Sequence, residues 1–204
     1  MEGIITNMLF MKFNNMNSKL NEILSIEDKR NINDINKSTI FKCFLGLKIF
    51  FLIIFTPEIF TKWFIPFMQN GINGGFLNPW FYHFQALGDQ LAFPYGISMY
   101  ISYLPLTWLG FFTDNLIGST FFTKFGFALT SLFFDYSTLI AIALIAKKFS
   151  NKVILIAYWC SPISIYILYF HGQLDIVPVF FLLSSIFLLE KRLILLSAVL
   201  FGLA

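Results

Sequence analysis

Apolar residues in this chain fall in long blocks rather than at the spacing of a strand or a half-buried helix. The first 40 residues are polar and Asn-rich, as in NNMNSKLNEI and KRNINDINKS. They predict a flexible or loosely helical cytoplasmic tail, residues 1–40, whose short apolar pieces (Ile4, Ile5, Leu9, Phe10) lie on a membrane surface. From Ile40 to about Phe60 the chain is apolar for long enough to span roughly 30 Å of hydrocarbon. Lys42 and Lys48 near its start favour a cytoplasmic beginning. Thr56-Pro57-Glu58 closes it and puts Glu58 near the far boundary.

Residues 61–96 are neither a span nor a polar loop. Trp63, Phe64, Phe67, Phe76, Trp80, Phe81, Tyr82, Phe84 and Phe93 are interspersed with Gly, Asn and Pro. That pattern predicts short interfacial helices at headgroup depth in a structured external loop. Residues 97–112, with Pro105 inside, read as a span or a re-entrant segment. A loop holding Asp114 and Lys124 follows, then a span from Phe125 to Ala146 with Asp135 in its interior. Lys147, Lys148 and Lys152 come next, then a span from Val153 to Phe170 broken near Pro162. Ile176–Leu189 is short, and the last run, RLILLSAVLFGLA, stops without a polar flank, as in the N-terminal part of a larger protein.

The expected fold is therefore all-α: a polytopic transmembrane helix bundle with an interfacial-helix loop after the first span, residues 41–204 forming the membrane core. If every segment crosses, Lys147–Lys152 fall outside, against the positive-inside tendency. A re-entrant 97–112 returns them to the inside and leaves Gln173–Asp175 outside.

Composition sharpens this. The chain is 57% hydrophobic and only 12% charged, whereas soluble domains carry about 25% charged residues. The net charge of +3 is small and mostly juxtamembrane, so no nucleic-acid partner is expected. Cys43 and Cys160 lie in apolar runs and read as buried free thiols. No HExxH, CxxC, GxxxxGK[ST] or GxSxG occurs, which disfavours zinc proteolysis, nucleotide hydrolysis and serine hydrolysis. Past Lys48 the chain holds six acids only, Glu58, Asp89, Asp114, Asp135, Asp175 and Glu190. Asp114 and Glu190 read as solvated boundary residues. Asp175 stands out, because it follows the turn HGQL between two apolar segments. A carboxylate at depth costs roughly 2.5–3.5 kcal/mol on insertion scales and needs a partner, water or a task.

Three stretches together resemble the GT-C superfamily of integral-membrane glycosyltransferases, which use polyprenyl-phosphate-linked sugars. They are the aromatic loop ending in GDQLAFPYG and SMYISYLPL, the aspartate in LFFDYSTLIAIAL, and WCSPISIYILYFHGQLDIVPVFF. The last is similar to an "NP…GQ.D" stretch of mannosyltransferase-like and bacterial envelope members, with Ser161 where Asn is usual. The match covers roughly residues 41–204. The resemblance implies a carboxylate in the first external loop, acting as base or as an acceptor- or metal-binding group, and a second acid in a later external loop. Asp175 matches the second role; Asp89 and Glu58 both remain open for the first. The catalytic candidates are thus Asp175, Asp89 and Glu58. Gln173, His171, Asp135, Tyr95 and His83 are the substrate-binding candidates, although each histidine also reads as a loop or interface residue. No metal ligand is nominated, and the cofactor stays open, a divalent metal ion being one choice. The implied partners are membrane lipid, a polyprenyl-phosphate-linked sugar donor and a glycan or lipid acceptor. The implied location is a bacterial inner membrane.

The chemistry suits these residues. As the sugar carbon becomes cationic, a carboxylate within hydrogen-bond reach takes the acceptor's proton. The phosphate leaves readily once a cation or metal neutralises it. Each acid has a plainer reading: Asp175 as a helix cap, Asp135 as an interhelical hydrogen-bonding residue, Asp89 as a water-facing loop residue and Glu58 as a boundary residue. A different function is a transporter or flippase fragment in which Asp135 and Asp175 are ion sites and Pro162 breaks a midplane helix. A third is a non-catalytic remnant. Transport predicts both acids facing one intramembrane cavity; transfer predicts Asp175 and a first-loop acid meeting at an external groove beside FPYG.

Overall fold

In the computed structural model, residues 23–76 and 78–204 are described; the surface reading of Ile4, Ile5, Leu9 and Phe10 lies outside them. The described residues are all-α, with no strand. Helix α1, Ile26–Lys37, opens on a reciprocal cap: Ser25 Oγ accepts from the Asp28 N–H, and Asp28 Oδ2 accepts from the Ser25 N–H. It is no loose tail. Asp28 is buried and accepts from Lys147 at 2.7 Å and Lys191 at 2.8 Å. The Asn31 amide donates to the Ala143 carbonyl at 3.2 Å. Residues 26–37 are thereby clamped to the core.

Helix α2, Thr39–Ile54, is shorter than the apolar block that predicts it, because the chain turns extended at Phe55 ahead of Pro57. Helix α3 starts as a π-helical turn, Phe60–Phe64, and continues as Ile65–Asn73. Helix α4, Pro79–Gln85, takes its start from Asn78, whose side chain accepts from the Phe81 N–H. Phe64, Phe67, Trp80 and Phe93 of this region pack among other rings, whereas Trp63, Phe76, Phe81 and Phe84 stay exposed. Phe67 stacks on Phe93 at 4.5 Å between ring centroids and meets Trp80, His83 and Tyr100.

Helix α5, Ile97–Ile117, runs unbroken through Pro105, longer than the 97–112 segment expected. It forms a hairpin with α6, Phe121–Ile145. Two glycines let the helices close up: a Cβ on Gly110 would stand 2.1 Å from the Phe122 carbonyl oxygen, and one on Gly126 2.2 Å from that of Leu106. Asp114 is not in a solvated loop. It is buried in the last turn of α5 and accepts from the Phe122 and Thr123 N–H groups and the Thr123 hydroxyl, so it caps α6 from the neighbouring helix.

Helix α7, Asn151–Ile154 continuing as π-helical Leu155–Trp159, meets α8, Pro162–Ile165 continuing as π-helical Tyr166–His171, at 43°. The break falls where Pro162 begins α8 and Ser161 caps it, as the sequence predicts. Helix α9, Ile176–Glu190, packs on α6, and α10, Ile194–Leu203, packs on α9. Among the described residues, one helix, α6, is long and apolar enough to cross a membrane, and a second span results if the bent pair α7–α8 is taken as one.

Charge is segregated. The Asp28 clamp gathers α1, the start of α2, the 146–152 turn and the 190–193 turn at one end. Those segments hold nine cations (Lys29, Arg30, Lys37, Lys42, Lys147, Lys148, Lys152, Lys191, Arg192) against four acids (Glu27, Asp28, Asp34, Glu190). Lys147–Lys152 therefore share an end with the N-terminal helix, while the turn at Gly172 packs on Pro57, Ile59 and Phe60, past the other end of α2.

Candidate functional site

Two polar constellations emerge. The first lies inside the bundle, where Asp135 of α6 is fully buried. Its Oδ2 accepts from Lys48 Nζ at 2.6 Å and from the Tyr169 hydroxyl at 2.7 Å; its Oδ1 accepts from the Tyr158 hydroxyl at 2.9 Å. Lys48 is equally buried and sits 3.5 Å above the Trp159 ring, an attraction that desolvation strengthens. The Trp159 indole in turn donates to the Phe41 carbonyl. Lys48 is thus no flanking residue at a membrane boundary: it is the tenth residue of the 16-residue α2 and the counter-charge of Asp135. Tyr158 and Trp159 come from α7 and Tyr169 from α8, so one carboxylate joins both arms of the bent pair. Every oxygen of Asp135 is occupied by protein. That is the signature of a support, and it does not place Asp135 at a substrate-facing surface.

The second constellation lies on the opposite side of α2 from the Asp28 clamp. Gly172, at φ +79°, reverses the chain after α8 and packs on Pro57, Ile59 and Phe60. His171 and Glu58 consequently line one groove of about 460 Å³ with Ile59, Lys62, Trp63 and Phe170. Glu58 is ion-paired with Lys62, one turn on. The hydrogen bond from Lys62 holds the Glu58 carboxyl below its usual range, so it is a carboxylate at neutral pH. The His171 ring stacks parallel to that of Tyr166. Gln173 is half-buried in the same turn, and Asp175 is exposed at the head of α9. Asp175 makes no capping hydrogen bond from its side chain, so its carboxylate is not consumed by its own helix. Neither Asp175 nor Tyr95, of the FPYG stretch, is among the residues that line the Glu58–His171 groove. Burial pushes the Tyr95 hydroxyl above the usual tyrosine range, and the nearby charge of Asp175 pushes it the same way.

Asp89 and His83 form a separate, local arrangement. The His83 ring is buried; Nδ1 faces the Asn70 amide at 3.0 Å and Nε2 faces the Asp89 backbone carbonyl at 3.1 Å. The tautomer protonated at Nε2 satisfies both, Asn70 donating to Nδ1. Both ring nitrogens are used, which makes His83 a pin for the 86–92 turn. The Asp89 carboxylate accepts from the Leu91 N–H at 2.8 Å, within its own turn.

No protein-family model, curated protein or solved structure matches this chain. Among the described residues no three or more His, Cys, Asp or Glu side chains converge. Sequence reasoning missed Lys48, Tyr158, Tyr169 and Trp159. The signal was present in part, since an acid inside an apolar helix calls for an equally placed cation. Neither cysteine is buried as its apolar run predicts: Cys43 is exposed and Cys160 half-buried.

Proposed function

We propose that this chain is a multi-pass membrane glycosyltransferase of the GT-C kind, or the N-terminal portion of one. It moves a sugar from a polyprenyl-phosphate donor to an acceptor on the outer membrane face. One observation carries the reading: the GQLD turn is folded against the acid-bearing segment after the first helix, so Glu58 and His171 share a groove while Tyr95 lies close to Asp175. Glu58 lines that groove, and Asp175 lies outside its lining, exposed at the head of α9 four residues past His171. Glu58, rather than Asp89, is the first-loop acid in this reading.

The roles divide by environment. Asp175, exposed and uncapped, takes the acceptor proton. Glu58, ionised through its pairing with Lys62, holds an acceptor hydroxyl, and Lys62 is the cation that meets the departing phosphate. Trp63 and Phe170 give the groove apolar walls suited to a sugar face or a prenyl chain. The membrane reading rests on large apolar side chains left outside: Phe50, Ile53 and Ile54 of α2, Trp108, Leu109 and Phe112 of α5, and Leu195, Val199 and Phe201 of α10 are all exposed. The broken α7–α8 pair favours the transporter alternative. Against that, Asp135 is sealed by Lys48 and two tyrosines rather than facing a cavity with Asp175.

The test is incorporation of labelled sugar from membrane polyprenyl-phosphate donors by the full-length gene product and its Asp175→Asn variant at matched expression. Loss of a base lowers transfer by about 10²–10⁴-fold. Unchanged transfer removes Asp175 from the chemistry. Absence of transfer by either form across several donors abandons the enzyme reading.

A further inference from the structure

At the cationic end of the molecule an apolar groove of about 540 Å³ opens between α2, α5 and α6. Phe41 and Leu45 form one wall; Leu129, Leu132, Phe133 and Tyr136 form the other. Those four are spaced i, i+3, i+4, i+7, so the groove follows one face of α6 for roughly 10 Å at helical rise. Phe133 is 58% exposed, which leaves the groove open sideways. One end is polar: Asn36 borders it and accepts from the Tyr136 hydroxyl at 2.9 Å. Next in sequence to the lining residues Asn36 and Phe41, on either side of the α1–α2 junction, are Lys37 and Lys42, both exposed and in no ion pair among the described residues. No carboxylate lines the groove.

An apolar trough with a polar end and two unneutralised ammonium groups on residues next to its lining matches an anionic amphiphile. We propose that the groove holds one acyl chain of an anionic glycerophospholipid, whose phosphate lies against Lys37 and Lys42. The chain buries the exposed faces of Phe133 and Leu129, and the headgroup supplies the counter-charge that the protein lacks there. A zwitterionic lipid fills the same trough without that charge gain. The site is at the far end of α2 from the Glu58 groove, so it stands or falls independently of the glycosyltransferase reading.

Native mass spectrometry of the full chain in detergent, with phosphatidylglycerol or phosphatidylcholine of matched acyl chains, tests it. Phosphatidylglycerol is expected to be retained more, by about fivefold for each lysine engaged. Lys37→Gln with Lys42→Gln, both at exposed positions that fold alike, lowers phosphatidylglycerol to the phosphatidylcholine level. Leu129→Trp fills the trough and lowers retention of both lipids, and Leu45→Trp does so from the opposite wall. Equal retention of the two lipids by the unaltered chain overturns the proposal, as does full retention in both tryptophan variants. Lipid uptake that rises on deleting residues 1–22 assigns the groove to that segment instead, and a dimer that displaces lipid assigns it to a second copy.

Discussion

Lys48 and Asp135 meet at 2.6 Å with neither side chain reaching solvent, 87 residues apart in sequence. Removing two charges from water costs several kcal/mol for each ion, and only close geometry with further hydrogen bonds offsets it. Here the offset is visible. Tyr158 and Tyr169 donate to the carboxylate, and the Trp159 ring lies under the ammonium. The pair therefore sets which surfaces of α2, α6 and the bent α7–α8 pair face one another, more than it adds net stability.

A double-mutant cycle separates those contributions. Lys48→Met leaves a buried carboxylate uncompensated, and Asp135→Asn leaves a buried ammonium; each is expected to cost about 3–5 kcal/mol. The double variant keeps an amide oxygen for a tyrosine and removes both charges, so it is expected to be more stable than either single variant. Thermal unfolding in detergent reads this. Additive losses would mean that the two residues act independently.

The clamp on α1 gives a pH signature. Burial raises the Asp28 carboxyl pKa, but hydrogen bonds from Lys147, Lys191 and Ser25 together outweigh burial and hold it well below the ordinary value of 3.8. A depressed carboxyl stabilises the folded form above its unfolded pKa, and that contribution is lost as pH falls through the folded pKa. Docking of α1 is thus unchanged from pH 7 to 5 and weakens only below about pH 4. Lys147 carries the mirror effect: its hydrogen bond to Asp28 raises its pKa above 10.5, so its contribution is present below that pH and lost above it. Hydrogen exchange of α1 amides should show a plateau bounded on both sides. Asp28→Asn should remove it, at a cost of about 1–2 kcal/mol.

How far the sequence carries follows from which interactions are local. Ser25 and Asp28, Asn78 before Pro79, and Ser161 before Pro162 are start signals within four residues, and each marks a real helix start. Asp114 misleads because its partners, Phe122 and Thr123, lie across a hairpin that sequence spacing does not reveal. Lys48 misleads for another reason. The positive-inside tendency treats a lysine near the start of an apolar run as a flank, and only the fold brings Asp135 beside it. The proximity of the Glu58 and His171 segments is likewise non-local, while the position of Asp175 at the turn before an apolar helix is local and is where the structure has it, exposed at the head of α9.

The two first-loop acids make opposite predictions. Asp89 is engaged by the Leu91 N–H in its own turn, and its backbone carbonyl faces the His83 ring. Glu58 lines the groove that contains His171. In the transfer assay Asp89→Asn is expected to leave activity unchanged, whereas Glu58→Gln raises the acceptor KM with a smaller effect on kcat, because a binding contact is lost and the base remains. The reverse pattern would move the first-loop role to Asp89.

The groove depends on a single backbone reversal, and two glycines allow its cost to be divided. Gly172 and Gly75 both sit at positive φ, +79° and +76°. Alanine at either incurs the left-handed penalty of roughly 1–2 kcal/mol. At Gly75 nothing lies within 4 Å of the added methyl group, while at Gly172 it would stand 2.8 Å from Ile59, Phe60 and Pro57. Gly172→Ala should therefore be less stable than Gly75→Ala by about 1–3 kcal/mol of overpacking, measured as the difference in unfolding free energy. Because that methyl group pushes the GQLD turn away from the Glu58 segment, transfer should fall in Gly172→Ala and persist in Gly75→Ala. Equal unfolding energies would mean that the turn does not rest on Pro57, Ile59 and Phe60. Retained transfer with the expected instability would mean that this packing holds the turn without assembling the site.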